Sequence, residues 1–182
     1  MIKIFKKVGI IMGNNKTKKL AIAAMFVAIG VVLGNIIYIP VGVSKCFPIQ
    51  HTINVISATI LGPFYGVAIA FCISLIRNIL GTGSLLAFPG SMIGALLAGL
   101  IFWKTKYCYL TAISEVFGTG VLGGLLAFPV AKVIMGKEVV AFFFVYPFIL
   151  SSIGGSIIAV ILLRVLERYS VFQINKEKRN EC

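Results

Sequence analysis

The sequence predicts an all-α integral membrane protein with six transmembrane helices and both termini in the cytoplasm. Of its 182 residues, 59% are hydrophobic and only 12% are charged, and the mean hydropathy is +1.05. A soluble domain carries roughly 25% charged residues, so this composition is typical of a membrane protein. The chain also divides into apolar segments close to the roughly 20 residues that cross a bilayer. Its basic residues cluster between and beyond those segments, as the positive-inside rule describes.

The first three helices are predicted within the first 80 residues. Helix one covers residues 20–39, a stretch without any charge. Helices two and three are predicted over 51–61 and 64–80, because Gly62-Pro63 divides an uncharged stretch in two. Helix two is short for a spanning helix, so we expect it to be tilted or partly buried in the protein.

The last three helices follow a Gly-Thr-Gly-Ser turn. Helix four is predicted within residues 78–103, helix five within 109–134 and helix six within 139–163. Only Glu115 and Lys132 interrupt the apolar character of helix five. Together with the first three helices, these three bring the number of predicted spans to six.

The distribution of basic residues predicts the orientation of the helices. An even number of spans puts both basic tails, residues 1–19 and 167–182, on the cytoplasmic side of a transmembrane domain of residues 20–166. The basic residues left on the outer side are Lys45, Arg77, Lys132 and Lys137. Topology and attraction to anionic lipid headgroups explain the net charge of +12, so no nucleic acid partner is expected. We predict a multi-pass protein of the cell membrane.

Several function classes are disfavoured by the motifs. Residues 118–123 read Gly-Thr-Gly-Val-Leu-Gly, which matches G-x-G-x-x-G, but they lie within an apolar helix, where small residues favour close helix packing. The sequence contains no G-x-x-x-x-G-K-[ST] motif, so any uphill transport needs an ion gradient or a partner. With one His and no Asp, we predict no catalytic residues, no metal ligands and no cofactor.

Polar side chains within the apolar helices indicate a pocket below the outer surface, because such groups usually face a cavity or a partner. Topology places seven of them in the outer halves of helices two, three, four and six: Gln50, His51, Asn54, Arg77, Asn78, Ser91 and Tyr146. The plain alternatives are that Arg77 extends to the headgroups, that His51 bonds a loop carbonyl, and that Tyr146 belongs to an interfacial belt. Aromatic residues near helix ends, such as Phe47 and Phe143, would suit the walls of a site for a flat ligand.

Glu115 is the acidic side chain that lies within a predicted span. It is about two turns from the cytoplasmic end of helix five, without a nearby cation on that helix. We therefore expect it to be protonated, paired with another helix or reached by water. Its depth fits the outer cluster poorly, although we include it among the binding residues.

Four stretches of polar residues and prolines inside the apolar helices are distinctive. They are Pro-Val-Gly-Val-Ser-Lys-Cys-Phe-Pro-Ile-Gln-His-Thr-Ile-Asn at 40–54, Arg-Asn-Ile-Leu-Gly-Thr-Gly at 77–83, Leu-Ala-Phe-Pro-Gly-Ser-Met-Ile-Gly at 86–94 and Glu-Val-Phe-Gly-Thr-Gly at 115–120. With these stretches, residues 18–166 resemble the ThiW family of substrate-binding S components of energy-coupling factor (ECF) vitamin transporters.

The resemblance implies a six-helix S component that captures a vitamin precursor from outside and works with a transmembrane coupling protein and two cytoplasmic ATPases. The implied ligand is the thiazole half of thiamine, hydroxyethylthiazole. An A-x-x-x-A motif, here Ala24 and Ala28 with Ala21 one turn earlier, would contact the coupling protein. Gln50, His51 and Asn54 would contact the ligand, flanked by Arg77 and Asn78, and the loop from Pro40 to Pro48 would act as a gate.

Two groups of alternatives stay open. The ligand could be thiamine, a pyrimidine or a phosphorylated thiazole; a cation would favour Glu115 as its partner, and a phosphate would favour Arg77. The chain could also be a stand-alone secondary transporter driven by protons through Glu115 and His51.

Overall fold

A computed structural model describes residues 15–41, 44–136, 140 and 142–180. Within these residues the chain forms six helices and one two-stranded hairpin. In chain order they are α1 (Lys16–Ile36), β1 (Ile39–Val41), β2 (Ser44–Cys46), α2 (Pro48–Leu61), α3 (Pro63–Ile79), α4 (Ala87–Thr105), α5 (Cys108–Ile134) and α6 (Val145–Asn180).

The helices are those of a multi-pass membrane protein. By length and composition α1, α4, α5 and the Val145–Tyr169 part of α6 are able to cross a membrane, and α3 is a shorter apolar helix. These observations confirm the all-α membrane class. The count of six spans and the cytoplasmic position of both termini stay predictions.

Helix α2 lies in the centre of the molecule. Of its 14 residues, 11 are buried, and it packs against α1, α3, α4, α5 and α6. Its length of about 21 Å is less than the roughly 30 Å of the bilayer core, so it fits inside the bundle. The helix ends at Gly62, whose φ of 93° suits a residue without a Cβ, and α3 begins with Pro63. The predicted break and the expected burial of helix two both agree with this arrangement.

Helix α5 alternates between α-helical and π-helical turns. Its π-helical segments are Phe117–Gly123 and Val130–Ile134. The glycines of the first segment permit close contacts: a Cβ on Gly118 would lie 3.0 Å from the Gly94 Cα, and one on Gly120 would lie 3.0 Å from the Ile149 Cα. The G-x-G-x-x-G stretch therefore brings α5 against α4 and α6, as the sequence analysis expected.

The hairpin occupies much of the loop that we predicted as a gate. Ile39 pairs with Cys46, and the Cys46 thiol donates a hydrogen bond to the Pro147 carbonyl on α6 at 3.3 Å. Burial raises the pKa of this thiol above its usual value. The strands fix the ends of the loop against the start of α6; residues 42 and 43 at its tip lie outside the described residues.

Other boundaries differ from the predicted ones. Helix α1 begins at Lys16, inside the predicted tail of residues 1–19, of which residues 1–14 lie outside the described part. Helix α6 begins at Val145 rather than at residue 139, and it continues beyond residue 166 to Asn180. The charged C-terminal segment extends the last helix, because hydropathy marks where a helix leaves the bilayer and not where its hydrogen bonding stops.

Candidate functional site

A cavity of about 670 Å³ opens beside the first turns of α2. The aromatic part of its wall consists of Tyr38, Phe47, Phe143, Phe144 and Phe148. Polar side chains line the rest: Asn35, Gln50, His51, Arg77, Thr82, Ser84, Ser91, Thr119 and Ser151. Aromatic walls with a few placed polar groups are typical of a small-molecule site, and the volume lies in the usual range of roughly 300–1,000 Å³.

Arg77, in the last turn of α3, is the buried cation of this cavity. Its side chain is enclosed by protein, with 1% of its surface exposed. The guanidinium stacks 3.9 Å from the centre of the Phe47 ring, and its Nη1 donates to Gln50 Oε1 at 2.7 Å. Its Nε and Nη2 donate to Asn35 Oδ1 and to the Thr82 carbonyl. This burial contradicts the alternative for Arg77, in which its side chain extends to the lipid headgroups.

A chain of hydrogen bonds leads from Arg77 across α2, α3 and α4. Gln50 Nε2 donates to Ser74 Oγ at 2.9 Å, and Ser74 Oγ lies 3.1 Å from Ser91 Oγ. The single hydroxyl hydrogen of Ser91 goes to the Ala87 carbonyl at 2.7 Å, so Ser74 is the donor of the pair. Gln50 is thereby held in one orientation, with its oxygen towards Arg77.

Glu115 of α5 forms the second buried polar centre. Its Oε1 lies 3.0 Å from His51 Nδ1 and accepts hydrogen bonds from Asn54 Nδ2 at 3.4 Å and Thr119 Oγ1 at 2.8 Å. Its Oε2 accepts one from Ser156 Oγ of α6 at 3.2 Å. The carboxyl group thus contacts side chains of α2, α5 and α6 at once. Of the three states predicted for Glu115, pairing with another helix is the one that the structure displays.

His51 connects Glu115 with the cavity. Its Nδ1 faces the Glu115 carboxylate and its ring lines the cavity, which leaves Nε2 for another partner. With a hydrogen on Nδ1, Nε2 accepts a hydrogen bond when the ring is neutral and donates one when it is protonated. Glu115 thus orients the His51 ring from behind, as carboxylates orient histidines in many sites.

Asn54 lies beneath the cavity, completely buried. Its Nδ2 donates to the Ser91 carbonyl at 3.3 Å as well as to Glu115. Both of these partners are acceptors, so the amide orientation is fixed. The Asn54 Oδ1 atom has no hydrogen-bond partner, and it remains an unused acceptor next to the Glu115 centre.

The structure brings most of the predicted site residues together. Gln50, His51, Arg77 and Ser91 line the cavity, whereas Asn54 and Glu115 lie directly behind it. The expectation that the depth of Glu115 fits the cluster poorly is therefore wrong. The physical reason is that the first turn of α2 is already buried in the bundle, where His51 and Asn54 reach Glu115 of α5.

Two predicted residues have other positions. Asn78 donates from Nδ2 to the carbonyls of Ser74 and Ser84, so it stabilises the turn between α3 and α4. Tyr146 is 69% exposed and does not line the cavity, because its neighbours Pro147 and Phe148 occupy the inward face of α6. Tyr146 therefore does not lie with the other predicted site residues. Its exposure agrees with the alternative that it belongs to an interfacial belt.

Some residues of the site were missed by the sequence analysis. Thr119 contacts both Glu115 and the Gly90 carbonyl at 3.2 Å, and Asn35 contacts Arg77. The position of Thr119 four residues after Glu115 was a usable signal, since such residues share a helix face. In the described part of the chain no three His, Cys, Asp or Glu side chains form a group that would hold a metal ion.

Comparison with known proteins gives one match. The family model described as thiamine-precursor transporter protein (ThiW) matches residues 20–169, which is most of the chain and all of the cavity-lining segments. Among curated proteins and among solved structures, none matches the chain. Since the match covers the whole membrane region, the chain belongs to the ThiW family of thiamine-precursor transporter proteins.

Proposed function

We propose that this protein is the substrate-capture subunit, or S component, of an ECF-type uptake transporter and that its cavity binds hydroxyethylthiazole. The observation that carries the proposal is the cavity itself. It combines an aromatic wall with a polar floor formed by His51, Ser91 and Arg77, in a chain of a thiamine-precursor transporter family. A thiazole ring is flat and apolar on both faces, and its hydroxyethyl group needs hydrogen-bond partners.

The proposed orientation follows from these walls. The ring lies against Phe144 and Phe148, and its nitrogen or hydroxyl meets His51 Nε2 and the Arg77 guanidinium. The cavity is considerably larger than this small molecule, so some movement of the hairpin or of α6 is expected to enclose the ligand.

The energy source is proposed to be a partner ATPase pair that acts through a transmembrane coupling protein. The sequence has no nucleotide-binding P-loop of its own. Ala21, Ala24 and Ala28 are exposed along one face of α1. Phe26 and Gly30 face the interior. An exposed stripe of small residues permits close approach of another helix, which supports this proposal.

A binding experiment tests the proposed ligand. Purified protein is titrated with hydroxyethylthiazole, with thiamine and the aminopyrimidine half as competitors. We expect binding that the pyrimidine does not disturb and that His51→Ala weakens about tenfold or more, the typical effect of losing a buried hydrogen bond. Tyr146→Ala, at an exposed position, serves as the control. Binding of the pyrimidine in preference to the thiazole would contradict the proposed ligand.

Thiamine is the main alternative ligand within transport. Its thiazolium ring is cationic, and a cation would favour an acidic side chain in the cavity wall. None of the cavity-lining residues in the described part of the chain is acidic, and Glu115 is already engaged by four side chains, one of which is His51. The lining therefore favours a neutral or anionic ligand over thiamine.

A stand-alone secondary transporter is the second candidate function. The close pair of His51 and Glu115, buried beside the cavity, is the observation that favours proton coupling. Reconstitution of the purified chain alone in liposomes tests it. Uptake that follows an imposed proton gradient and stops with an uncoupler would support this candidate over the ECF assignment.

A further inference from the structure

We infer that the preferred ligand carries an anionic group, such as a phosphate ester or a carboxylate, and that this group binds the Arg77 guanidinium. The inference rests on the proposed function, because it takes the ligand to be a thiazole compound. It adds that an anionic derivative of hydroxyethylthiazole binds more tightly than the neutral alcohol does.

The first argument is the charge balance around Arg77. Its three protein partners are the neutral oxygens of Asn35, Gln50 and Thr82. Among the residues whose side chains the structure describes, the acidic ones are Glu115 and Glu167; Glu115 is engaged with His51, and Glu167 pairs with Arg164 at 3.6 Å. A buried cation without a direct counter-charge is unfavourable, and an incoming anion would supply that charge.

The second argument is the number of available donors. A guanidinium has five N–H groups, and three of them are used by the protein partners of Arg77. Arg77 is among the residues that line the cavity, although only 1% of its surface is exposed, so we expect the remaining two donors to meet an anion that binds directly against the guanidinium. Two parallel N–H groups match the oxygens of a phosphate or a carboxylate better than they match a single hydroxyl.

The third argument is that the guanidinium is already held in position. The Phe47 ring covers one face at 3.9 Å, and Gly34 of α1 lies close to the group, since a Cβ built there would be 3.7 Å from the Arg77 Cζ. Three hydrogen bonds from different elements fix its rotation. Such a group loses little conformational freedom when a ligand binds, which favours recognition.

The two partial compensations on the protein side do not replace an anion. Arg77 lies in the last turn of α3, where the helix dipole places roughly half a negative charge, and the Phe47 ring adds a cation–π contact. Both stabilise the buried cation. Neither depends on a hydrogen bond donated by the guanidinium, so both persist when an anionic ligand binds.

The test is a ligand series on the purified wild-type protein: hydroxyethylthiazole, its phosphate monoester and the corresponding thiazole acetic acid, with inorganic phosphate as a competitor. We expect one or both anions to bind about 10- to 100-fold more tightly than the alcohol, the range of a charge-assisted hydrogen bond. Comparing the phosphate monoester with the thiazole acetic acid shows which of the two anionic groups binds more tightly. Inorganic phosphate shows how much the anion contributes without the ring.

Two variants assign the preference to Arg77. Arg77→Gln is expected to abolish the preference for the anion, because the affinity for the anions falls by a larger factor than the affinity for the neutral alcohol. Arg164→Gln is the control. It removes the same charge at a position about 20 Å along α6 from the cavity-lining residue Ser151, so the preference for the anion should remain. The wild-type series does not depend on whether Arg77→Gln folds.

The outcomes separate the inference from the proposed function. A neutral alcohol that binds as tightly as both anions overturns the inference and leaves the proposed function intact. An anion preference that survives in Arg77→Gln overturns the role of Arg77. Failure of every thiazole compound to bind overturns both.

Discussion

At Glu115, donors from three helices meet one carboxylate. His51 and Asn54 come from α2, Thr119 from α5 itself and Ser156 from α6. Each bond alone contributes modestly to stability, but leaving the buried donors without their acceptor costs about 1–3 kcal/mol per group. The carboxylate therefore both holds the helices together and orients His51 towards the cavity.

The variant Glu115→Gln tests this role. The amide has the same shape, but its NH₂ group cannot accept hydrogen bonds, so at least one buried donor loses its partner. We expect a loss of about 1–3 kcal/mol in the free energy of unfolding and a drop in ligand affinity, measured by thermal unfolding and titration in detergent. Glu167→Gln, whose carboxylate pairs with Arg164 within one helix, is the control and should change neither. Equal stability and affinity in both variants would contradict the role of Glu115.

The residues of the centre were predictable from the sequence, and most of their contacts were not. Polar side chains in apolar helices stand out, so His51, Asn54, Arg77 and Glu115 were all selected. His51 and Glu115 are 64 positions apart in the chain, and no local signal in the sequence indicates that they meet. Tyr146 is a residue that was selected but does not line the cavity. Its position near the start of α6 could be predicted from the sequence, whereas the face of α6 on which it lies could not.

At the scale of elements, the position of α2 against α6 depends on close backbone contact. At Gly155 of α6 an added Cβ would lie 2.6 Å from the His51 Cβ and 2.9 Å from the Thr52 nitrogen. The Thr52 hydroxyl also donates to the Gly155 carbonyl at 2.9 Å. The helix that carries His51 is thus in direct contact with α6, and any change in spacing displaces the site.

Adjacent glycines of α6 provide a matched test. Gly155→Ala is expected to destabilise the protein by about 1–3 kcal/mol and to weaken ligand binding, because the methyl group meets backbone atoms that cannot yield. Gly154→Ala is the control, since its methyl group would lie 3.7 Å from the Pro48 Cβ, an ordinary contact. Unfolding and binding of both variants are measured side by side. Equal behaviour of the two would contradict the close packing described for α6.

The existence of the helices was easier to predict than their exact bounds and their internal geometry. Hydropathy identified the apolar segments, and Gly62-Pro63 marked the break between α2 and α3. The π-helical turns of α5 were not predicted; the first of them contains Gly118 and Gly120, which pack closely against α4 and α6. The start of α6 was placed six residues early, since the phenylalanines that precede it are as apolar as the helix itself.

On the scale of the whole molecule, the buried network and the exposed alanine stripe lie on different parts of the fold. The network joins α2 to α6 around the cavity, while Ala21, Ala24 and Ala28 face outwards from α1. Substrate capture and partner docking are therefore separable properties in the proposed transporter. A change on the outer face of α1 should affect assembly with the coupling protein and leave ligand binding intact.

The double variant Ala24→Leu with Ala28→Leu tests that separation. Two leucines at these exposed positions would hold a partner helix away from the α1 backbone, so we expect a large loss of co-purification with the coupling protein. Hydroxyethylthiazole affinity of the isolated subunit should stay within about twofold, since small changes at distant sites are nearly independent. Ala68→Leu, at an exposed alanine of α3, is the control for added surface bulk in the membrane. Full co-purification of the double variant would exclude the alanine stripe as the docking face, and a parallel loss in Ala68→Leu would show that bulk rather than position is responsible.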